Sequence, residues 1–453
     1  MNLHAMLLER EAAGRPIRIG VIGAGKFGTM FLAQARVTRG VHVLAVADLD
    51  VARAAAQLRA AGWPEPSFSA TSLAEACKRA LTHVTSDARA VIAFPEVDVI
   101  VEATGIPAAG IRHALDAIAN RKHIVMVNVE ADALAGPLLA RRAKLAGVVY
   151  SLAWGDQPAL ICEHVDWARA CGFKVVAAGK GTRYAPHYHR STPATVWDIL
   201  DSYLHITDRD SINLKMFNSF VDGSKSAIEM TAVCNATGLV PQWDGLSFPA
   251  ASRFELADVC KPKAAGGTLE KPGVTEVVSS VRRDGSEVAH HLALGTFVVV
   301  EGETEYARQC FREYAMLPDT SGCYAALYRP IHLIGLELGI SIASAALRRE
   351  PTGAPTGFHS DVVATAKRAL KRGEMLDGEG GFCVWGKQLP AQRSLREGLL
   401  PLGLAHAVAL RRDIAEGECL KWSDVAWDED DLGVRVRREM EREFGKTQLQ
   451  VPS

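Results

Sequence analysis

The stretch IRIGVIGAGKFG, residues 17–28, decides the fold of this chain. An apolar β-type run ends in the spacing Gly-x-Gly-x-x-Gly, and a helix-forming segment follows at once, which predicts a strand, a tight turn and a helix. The glycines permit the turn, the approach of a ligand to the backbone and close packing of the helix on the strand. Free N–H groups at such a helix start attract an anion, so the stretch predicts a site for the pyrophosphate of a dinucleotide. We assign five residues of the turn to this site: Gly23, Gly25, Lys26, Phe27 and Gly28.

A second apolar run, VHVLAVA at residues 41–47, ends at Asp48. An acid about twenty residues after the last glycine is expected to bind the adenosine ribose. Asp48 and Asp50 would both repel a 2′-phosphate, so we expect NAD as the cofactor, with NADP left open. The alternative is an ordinary Gly-rich turn with a surface Asp.

Three more apolar runs follow, at residues 97–103, 123–127 and 148–150. Strands that alternate with helix-like segments predict a doubly wound parallel sheet of the Rossmann type. Ligands bind at the carboxyl ends of such strands, which places Thr104, Gly105 and Asn128 beside the cofactor. Glu130 and Asp156 also follow strand ends, where they could act in catalysis, bind substrate hydroxyls or hold a divalent metal. Turn and capping chemistry explains each of these residues equally well.

Composition limits the classes of function. The 453 residues are 48% hydrophobic and 23% charged with a net charge of −1, which favours neither nucleic acid nor a membrane as partner. Nine cysteines without a Cys-x-x-Cys pair indicate reduced thiols in a cytoplasmic protein. The N-terminus has no long apolar core and predicts a short amphipathic helix rather than a signal peptide. We expect a homo-oligomer that acts on a small molecule.

The middle of the chain carries a polar, aromatic and cationic segment at residues 183–190. It suits a loop that grips an anionic or polyhydroxylated substrate, with Arg183 and His187 as contacts. His187 and His189 could share one strand face and bind a metal, although a surface loop with histidines is the simpler interpretation.

A helix-like run after the turn at Asp222 holds two further candidates, Lys225 and Glu229. Four residues separate them, so they either form a pair on the helix surface or present an ammonium and a carboxylate to a cleft. We expect Glu229 to contact the substrate in the second case.

The last hundred residues differ in character from the rest. Prolines and glycines at 349–357 indicate a linker, and the similar segments 367–376 and 411–420 suggest a small β module with two related hairpins. The charged tail predicts a solvated helix. The expected organisation is a Rossmann domain at 1–153, an α+β catalytic domain at 154–350, a β module at 358–428 and a tail at 429–453.

Several motifs together resemble one family, the 1-deoxy-D-xylulose 5-phosphate reductoisomerase-like oxidoreductases related to homoserine dehydrogenase. The motifs are PIRIG (16–20), ATGIP (103–107), NVEAD (128–132), GKG (179–181), DGSK (222–225) and NATGLVP (235–241). Residues 362–425 resemble a SAF (antifreeze-like) domain, which is common at the end of such chains. Homoserine dehydrogenases carry Asn-Lys where this chain has Asn128-Val129, so their usual catalytic lysine is absent here.

The resemblance implies an NAD(P)-dependent oxidoreductase that moves hydride to or from a small hydroxylated carbonyl compound, a sugar acid or a sugar phosphate. Such chemistry needs a general base, and Lys180 and Lys225 are the candidates for base and oxyanion partner. Two alternatives stay open. One is reductoisomerase activity with NADPH and a divalent metal, and the other is a non-catalytic dinucleotide sensor or scaffold.

Overall fold

The computed structural model describes residues 2–201 and 213–448. The chain divides into two compact units, of which the first comprises Met1–Leu160 and Leu333–Thr356 and the second Ile161–His332 and Gly357–Ser453. The sequence placed the first boundary a few residues earlier. It also treated the C-terminal segment as a separate module, whereas the contacts group that segment with residues 161–332.

The first 160 residues alternate strands and helices. The helices are α1 (Leu3–Ala12), α2 (Lys26–Ala35), α3 (Val51–Ala60), α4 (Leu73–Arg79), α5 (Ala88–Ala93), α6 (Pro107–Ala119) and α7 (Val129–Leu145). The strands are β1 (Ile17–Ile22), β2 (Val41–Ala47), β3 (His83–Thr85), β4 (Val99–Glu102), β5 (His123–Met126) and β6 (Tyr150–Leu152).

These six strands form one parallel sheet in the order β3-β2-β1-β4-β5-β6. The order reverses between β1 and β4, so the predicted doubly wound fold is confirmed. Helices cover such a sheet on both faces, which is why its central strands are continuous apolar runs. The predicted N-terminal helix exists as α1, and its Leu7 packs into the core of this unit.

A mixed sheet forms the centre of the second unit. The helices of residues 157–332 are α8 (Gln157–Ala170), α9 (Val196–Leu200), α10 (Leu214–Val221), α11 (Ser224–Thr237), α12 (Leu256–Val259) and α13 (Glu305–Glu313). The strands are β7 (Lys174–Thr182), β8 (Val274–Ser279), β9 (Thr296–Glu301) and β10 (Tyr324–Arg329), in the order β10-β9-β7-β8. Only β7 and β8 run parallel, and α8 and α11 pack an apolar core against one face. The predicted second domain of helices and strands is confirmed, and its sheet is mixed.

Residues 333–356 belong to the first unit, and the residues after them belong to the second. Residues 333–356 hold the short helix α14 (Gly339–Ala343), which joins the core of the first unit. The C-terminal segment then adds β11 (Ser360–Ala366), β12 (Met375–Asp377), β13 (Val384–Pro390), α15 (Ala391–Glu397), β14 (His406–Ala409) and α16 (Leu432–Gln448). Its strands pair in two small antiparallel sheets, β11-β13 and β12-β14.

The two similar sequence segments, 367–376 and 411–420, also have similar structures. Arg368 pairs with Glu374 across one turn, and Arg412 pairs with Glu418 across the other. Both turns contain a glycine with positive φ, and Leu370 and Ile414 bridge the two copies in antiparallel fashion.

The charged tail differs from its prediction as a solvated helix. Arg437 in α16 is fully buried, and its guanidinium donates to the Asp361 carboxylate at 2.6 and 3.1 Å. Met440 is also fully buried, so the apolar positions of the helix pack inward despite its many charges. The last residues of the tail, 449–453, lie outside the described residues.

Candidate functional site

The glycine-rich turn after β1 has the geometry that a dinucleotide requires. Gly23 has φ of 95°, and a Cβ there would lie 2.7 Å from the Ala103 carbonyl oxygen. A Cβ on Gly28 would lie 2.5 Å from the Gly23 oxygen, so the helix packs tightly on the turn. A Cβ on Gly25 would meet no atom within 4 Å, and no side chain caps α2 at this residue. The open space and the uncapped helix start fit a pyrophosphate.

The two residues after Gly25 begin helix α2. Lys26 is exposed at the first helical position and Phe27 is half-buried beside it. An exposed ammonium at the open helix start adds positive charge to that of the macrodipole. This placement agrees with their assignment to the cofactor site, which remains a prediction.

Asp48 follows the end of β2, and its carboxylate accepts hydrogen bonds from other residues of the chain. Its oxygens accept hydrogen bonds from the N–H groups of Ala24 and Asp50, at 2.8 and 2.9 Å, and from the Arg53 guanidinium at 2.8 and 3.0 Å. Burial raises the pKa of Asp48, but these donors outweigh it and hold the pKa below its ordinary value. The sequence predicted an acid facing the ribose and did not foresee the arginine that accompanies it.

The ends of β4 and β5 form one polar network. The Asn128 side chain accepts from the N–H of Ala131, which caps α7, and donates to Thr104 Oγ1 at 3.3 Å and to the Ile106 oxygen at 2.9 Å. Thr104 in turn donates to the buried Glu102 at 2.6 Å, and a Cβ on Gly105 would meet open space. Thr104 and Asn128 thus lie together at the carboxyl edge of the sheet, and their contact with the cofactor remains a prediction.

Glu130 and Asp156 both lie in the first unit, at helix starts. Glu130 is half-buried in the first turn of α7, and Asp156 Oδ1 accepts from the N–H of Gln157 at 2.9 Å, at the start of α8. Asp156 therefore bonds the first N–H of the helix that follows it. Among residues 2–201 and 213–448, no three His, Cys, Asp or Glu side chains come together to hold a metal.

The second unit joins two of the predicted residues in a buried ion pair. Lys180 on β7 donates to Glu229 on α11, and the two are 5% and 3% exposed. Glu229 is therefore buried. This excludes the interpretation in which Lys225 and Glu229 form a pair on the helix surface. Lys225 lies one turn earlier on the same helix and is partly exposed.

A second polar contact lies next to this pair on the sheet. Lys180 is in register with Thr296 of β9, and Thr296 is in register with Arg329 of β10. The His164 ring of α8 contacts Thr296 Oγ1 through Nε2 at 3.0 Å. Burial, followed by the charge of Arg329, lowers the pKa of His164 to about 4, so its imidazole is neutral at pH 7. A buried ion pair and a neutral histidine therefore border the apolar core at one end of the sheet.

His164 was absent from the sequence-based candidates. It lies in the apolar stripe of α8 with Ile161, Val165 and Ala168, which all pack into the core. A histidine inside a stripe of helical period was the signal available in the sequence.

The structure of residues 183–190 differs in part from the structure predicted from the sequence. Arg183 pairs with Glu287 at 2.8 Å, and His187 is exposed. Residues Pro186–Arg190 form a 3₁₀ helix rather than a strand, so His187 and His189 do not share a strand face. His189 instead bonds the Asp222 carbonyl and the Tyr184 hydroxyl, at 2.7 and 2.8 Å. Burial lowers its pKa to about 4.

Two family models match the chain. Residues 19–151 match the model described as "Homoserine dehydrogenase, NAD binding domain", and residues 155–338 match "Oxidoreductase DRL, catalytic domain". The first covers the dinucleotide turn and the second covers the Lys180–Glu229 pair. The chain is an NAD(P)-dependent oxidoreductase. The match at residues 19–151 agrees with the resemblance to homoserine dehydrogenase, while the reductoisomerase-like and SAF assignments stay predictions.

No curated protein matches the enzyme. Solved structures with some likeness include myo-inositol dehydrogenase from Lactobacillus casei, at 15% identity and a TM-score of 0.34, covering 64% of this chain and 72% of that one. A probable dehydrogenase from Thermotoga maritima has 14% identity and a TM-score of 0.36, covering 74% and 90%. Such distant likenesses do not bear on activity or substrate. No helix within the described ranges is long and apolar enough to cross a bilayer.

Proposed function

We propose that the enzyme transfers hydride between NAD(H) and a small hydroxylated carbonyl compound of the sugar acid or sugar phosphate class. The observation that carries this proposal is the buried pair of Lys180 and Glu229 beside the neutral His164. Bound NAD(H) would supply or accept the hydride, and the chain would supply orientation and proton transfer.

The burial of this pair needs an explanation other than stability. Removing two charges from water costs several kcal/mol per ion, and well-packed apolar residues would often stabilise a core equally well or better. Ionisable groups in such an environment are concentrated at functional sites. Lys180 and Glu229 border a polar patch with Thr296 rather than lying alone in the core. A role in catalysis accounts for a buried ion pair at this place.

In the direction of reduction, negative charge develops on the carbonyl oxygen of the substrate. The Lys180 ammonium stabilises this charge and donates the proton that the oxygen needs, while Glu229 orients the ammonium. In the direction of oxidation, the neutral amine form of Lys180 accepts the proton of the alcohol and returns to the ammonium. Lys225 is the second candidate for the contact with the reacting oxygen. Arg183 and His187 are proposed as contacts to the polar groups of the substrate.

A screen of turnover tests this proposal. The enzyme is mixed with NAD(H) or NADP(H), and nicotinamide fluorescence is followed with panels of hydroxy acids, keto acids and sugar phosphates in both directions. We expect turnover in one of the panels. Tight dinucleotide binding without turnover of any compound would overturn the proposal and favour the dinucleotide sensor.

A further inference from the structure

The start of helix α11 depends on one buried carboxylate. Asp222 is fully buried, its Oδ1 accepts from the N–H of Ser224 at 2.9 Å, and its carbonyl accepts from His189 at 2.7 Å. The helix that follows carries Lys225 in its first turn and Glu229 in the next. The placement of both residues therefore depends on how Asp222 is held.

The C-terminal segment supplies the cation that holds it. Lys367, only 4% exposed, follows β11, and its Nζ lies 2.8 Å from Asp222 Oδ2. The same ammonium donates to the carbonyls of Ser191 and Gly381, each at 2.7 Å. The ammonium therefore donates two hydrogen bonds to carbonyl oxygens and forms an ion pair with the Asp222 carboxylate. One side chain thus ties together the start of α11, the end of the 3₁₀ helix at residues 186–190 and the turn before β13.

A second contact pins the same helix start. The N–H of Gly386 in β13 donates to Ser224 Oγ at 2.8 Å. Burial raises the pKa of Asp222 while Lys367 opposes that rise. The Asp222 carboxylate is therefore faced by Lys367 and by the N–H of Ser224, while His189 bonds the main-chain carbonyl of the same residue.

The internal repeat of the C-terminal segment allows Lys367 to be compared with the equivalent residue of the second copy. In the second copy the equivalent position is Arg411, which is exposed to solvent. The turns of the two copies are otherwise alike in their arginine–glutamate pairs. Of these two equivalent cations, Lys367 is buried against Asp222 and Arg411 is exposed, so a buried cation is not a requirement of the hairpin itself.

We propose that Lys367 is a positioning residue for catalysis, which acts through Asp222 on Lys225 and Glu229. The proposal rests on the proposed function of α11. It makes the C-terminal segment part of the catalytic apparatus rather than an appended module.

Three variants test the proposal: Lys367→Met, the double variant Asp222→Asn with Lys367→Met, and the matched control Arg411→Met. The full-length protein is labelled with ε-¹³C lysine, and the Lys225 resonance is assigned by its loss in Lys225→Met. This spectrum needs neither cofactor nor substrate. Melting temperatures are measured in parallel, as are kcat and KM on the compound found by the screen.

We expect Lys367→Met to move the Lys225 resonance and to lower kcat at least about tenfold with KM within about threefold. The double variant leaves no buried charge unpaired, so it should regain the melting temperature of the wild type without regaining kcat. Arg411→Met should match the wild type in every measurement. If Lys367→Met does not fold, the Lys225 resonance and the kcat of the double variant test the proposal without it.

Two results would overturn the proposal. In the first, the Lys225 resonance stays unmoved in the variants that lack Lys367. In the second, the double variant recovers kcat together with stability, which would make the contact purely structural. An absence of turnover in the wild type would instead count against the proposed function, because the lysine spectrum reports on Lys225 without any turnover.

Discussion

Replacing Asp132 with Asn should stabilise the first unit at neutral and alkaline pH. Asp132 is fully buried in α7, where the Tyr150 hydroxyl donates to its Oδ1 at 2.8 Å. The described residues offer its Oδ2 no hydrogen-bond partner. Burial therefore raises the pKa of Asp132 from 3.8 to about 7, because the charged form loses its hydration. The folded protein keeps a proton that the unfolded chain releases.

The size and sign of the effect follow from linkage. A rise from 3.8 to about 7 is roughly three pKa units, or about 4 kcal/mol at 1.36 kcal/mol per unit. The carboxyl group contributes this stability fully below pH 3.8, loses it as the pH rises, and contributes none above about 7. Asn does not ionise and can still accept from Tyr150. Its advantage over Asp132 should therefore grow to as much as about 4 kcal/mol at pH 8, a Tm increase on the order of 10 °C.

Scanning calorimetry of both proteins between pH 4.5 and 8 measures this difference. Glu9→Gln, which neutralises an exposed carboxylate of the same unit, is the control and should leave Tm nearly unchanged at every pH. A difference between Asp132→Asn and the wild type that does not vary with pH would refute the reasoning. So would a lower Tm of the variant at pH 8.

Three further predictions concern other parts of the chain. Arg53→Ala should leave Asp48 free for the ribose and weaken NADPH binding more than NADH binding, and titrations with equal weakening of both would contradict this role. A chain that ends at Thr352 should lose the unfolding transition of the second unit, because 357–453 belong to that unit; a retained transition would show that the segment is dispensable. Arg437→Met should cost about 3–5 kcal/mol in urea unfolding by leaving Asp361 buried without its guanidinium, and a cost below about 1 kcal/mol would argue against a stabilising role.

The first unit was largely predictable because its signals are local. The run at 17–28 contains its strand, turn and helix start within twelve consecutive residues. Buried parallel strands also leave continuous apolar runs, which identified β1, β2 and β4. The short strand β3 (His83–Thr85) was missed, since three partly buried residues carry no periodic pattern.

The second unit was less predictable because its contacts join distant parts of the chain. The pattern at Lys225 and Glu229 left open a surface pair within one helix or two groups facing a cleft, and neither alternative named Lys180, which donates to Glu229 from another element. Likewise, the charges of α16 predicted a solvated surface, and nothing near Arg437 in sequence revealed the buried Asp361 that accepts its guanidinium. Local charge patterns cannot identify partners that only the fold brings together.

The rate of a single hydride transfer in Lys180→Met tests the central claim most directly. Lys174→Met is the matched control, since Lys174 lies on the same strand and pairs with Glu301 at 2.7 Å with its side chain half exposed. With the compound found by the screen, Lys180→Met should slow the transfer by a factor of about 10² to 10³, or about 3–4 kcal/mol, while dinucleotide affinity stays unchanged. Lys174→Met should transfer hydride at the rate of the wild type. A Lys180→Met rate within about threefold of the wild type, below roughly 1 kcal/mol, would contradict the assignment of the buried pair to catalysis.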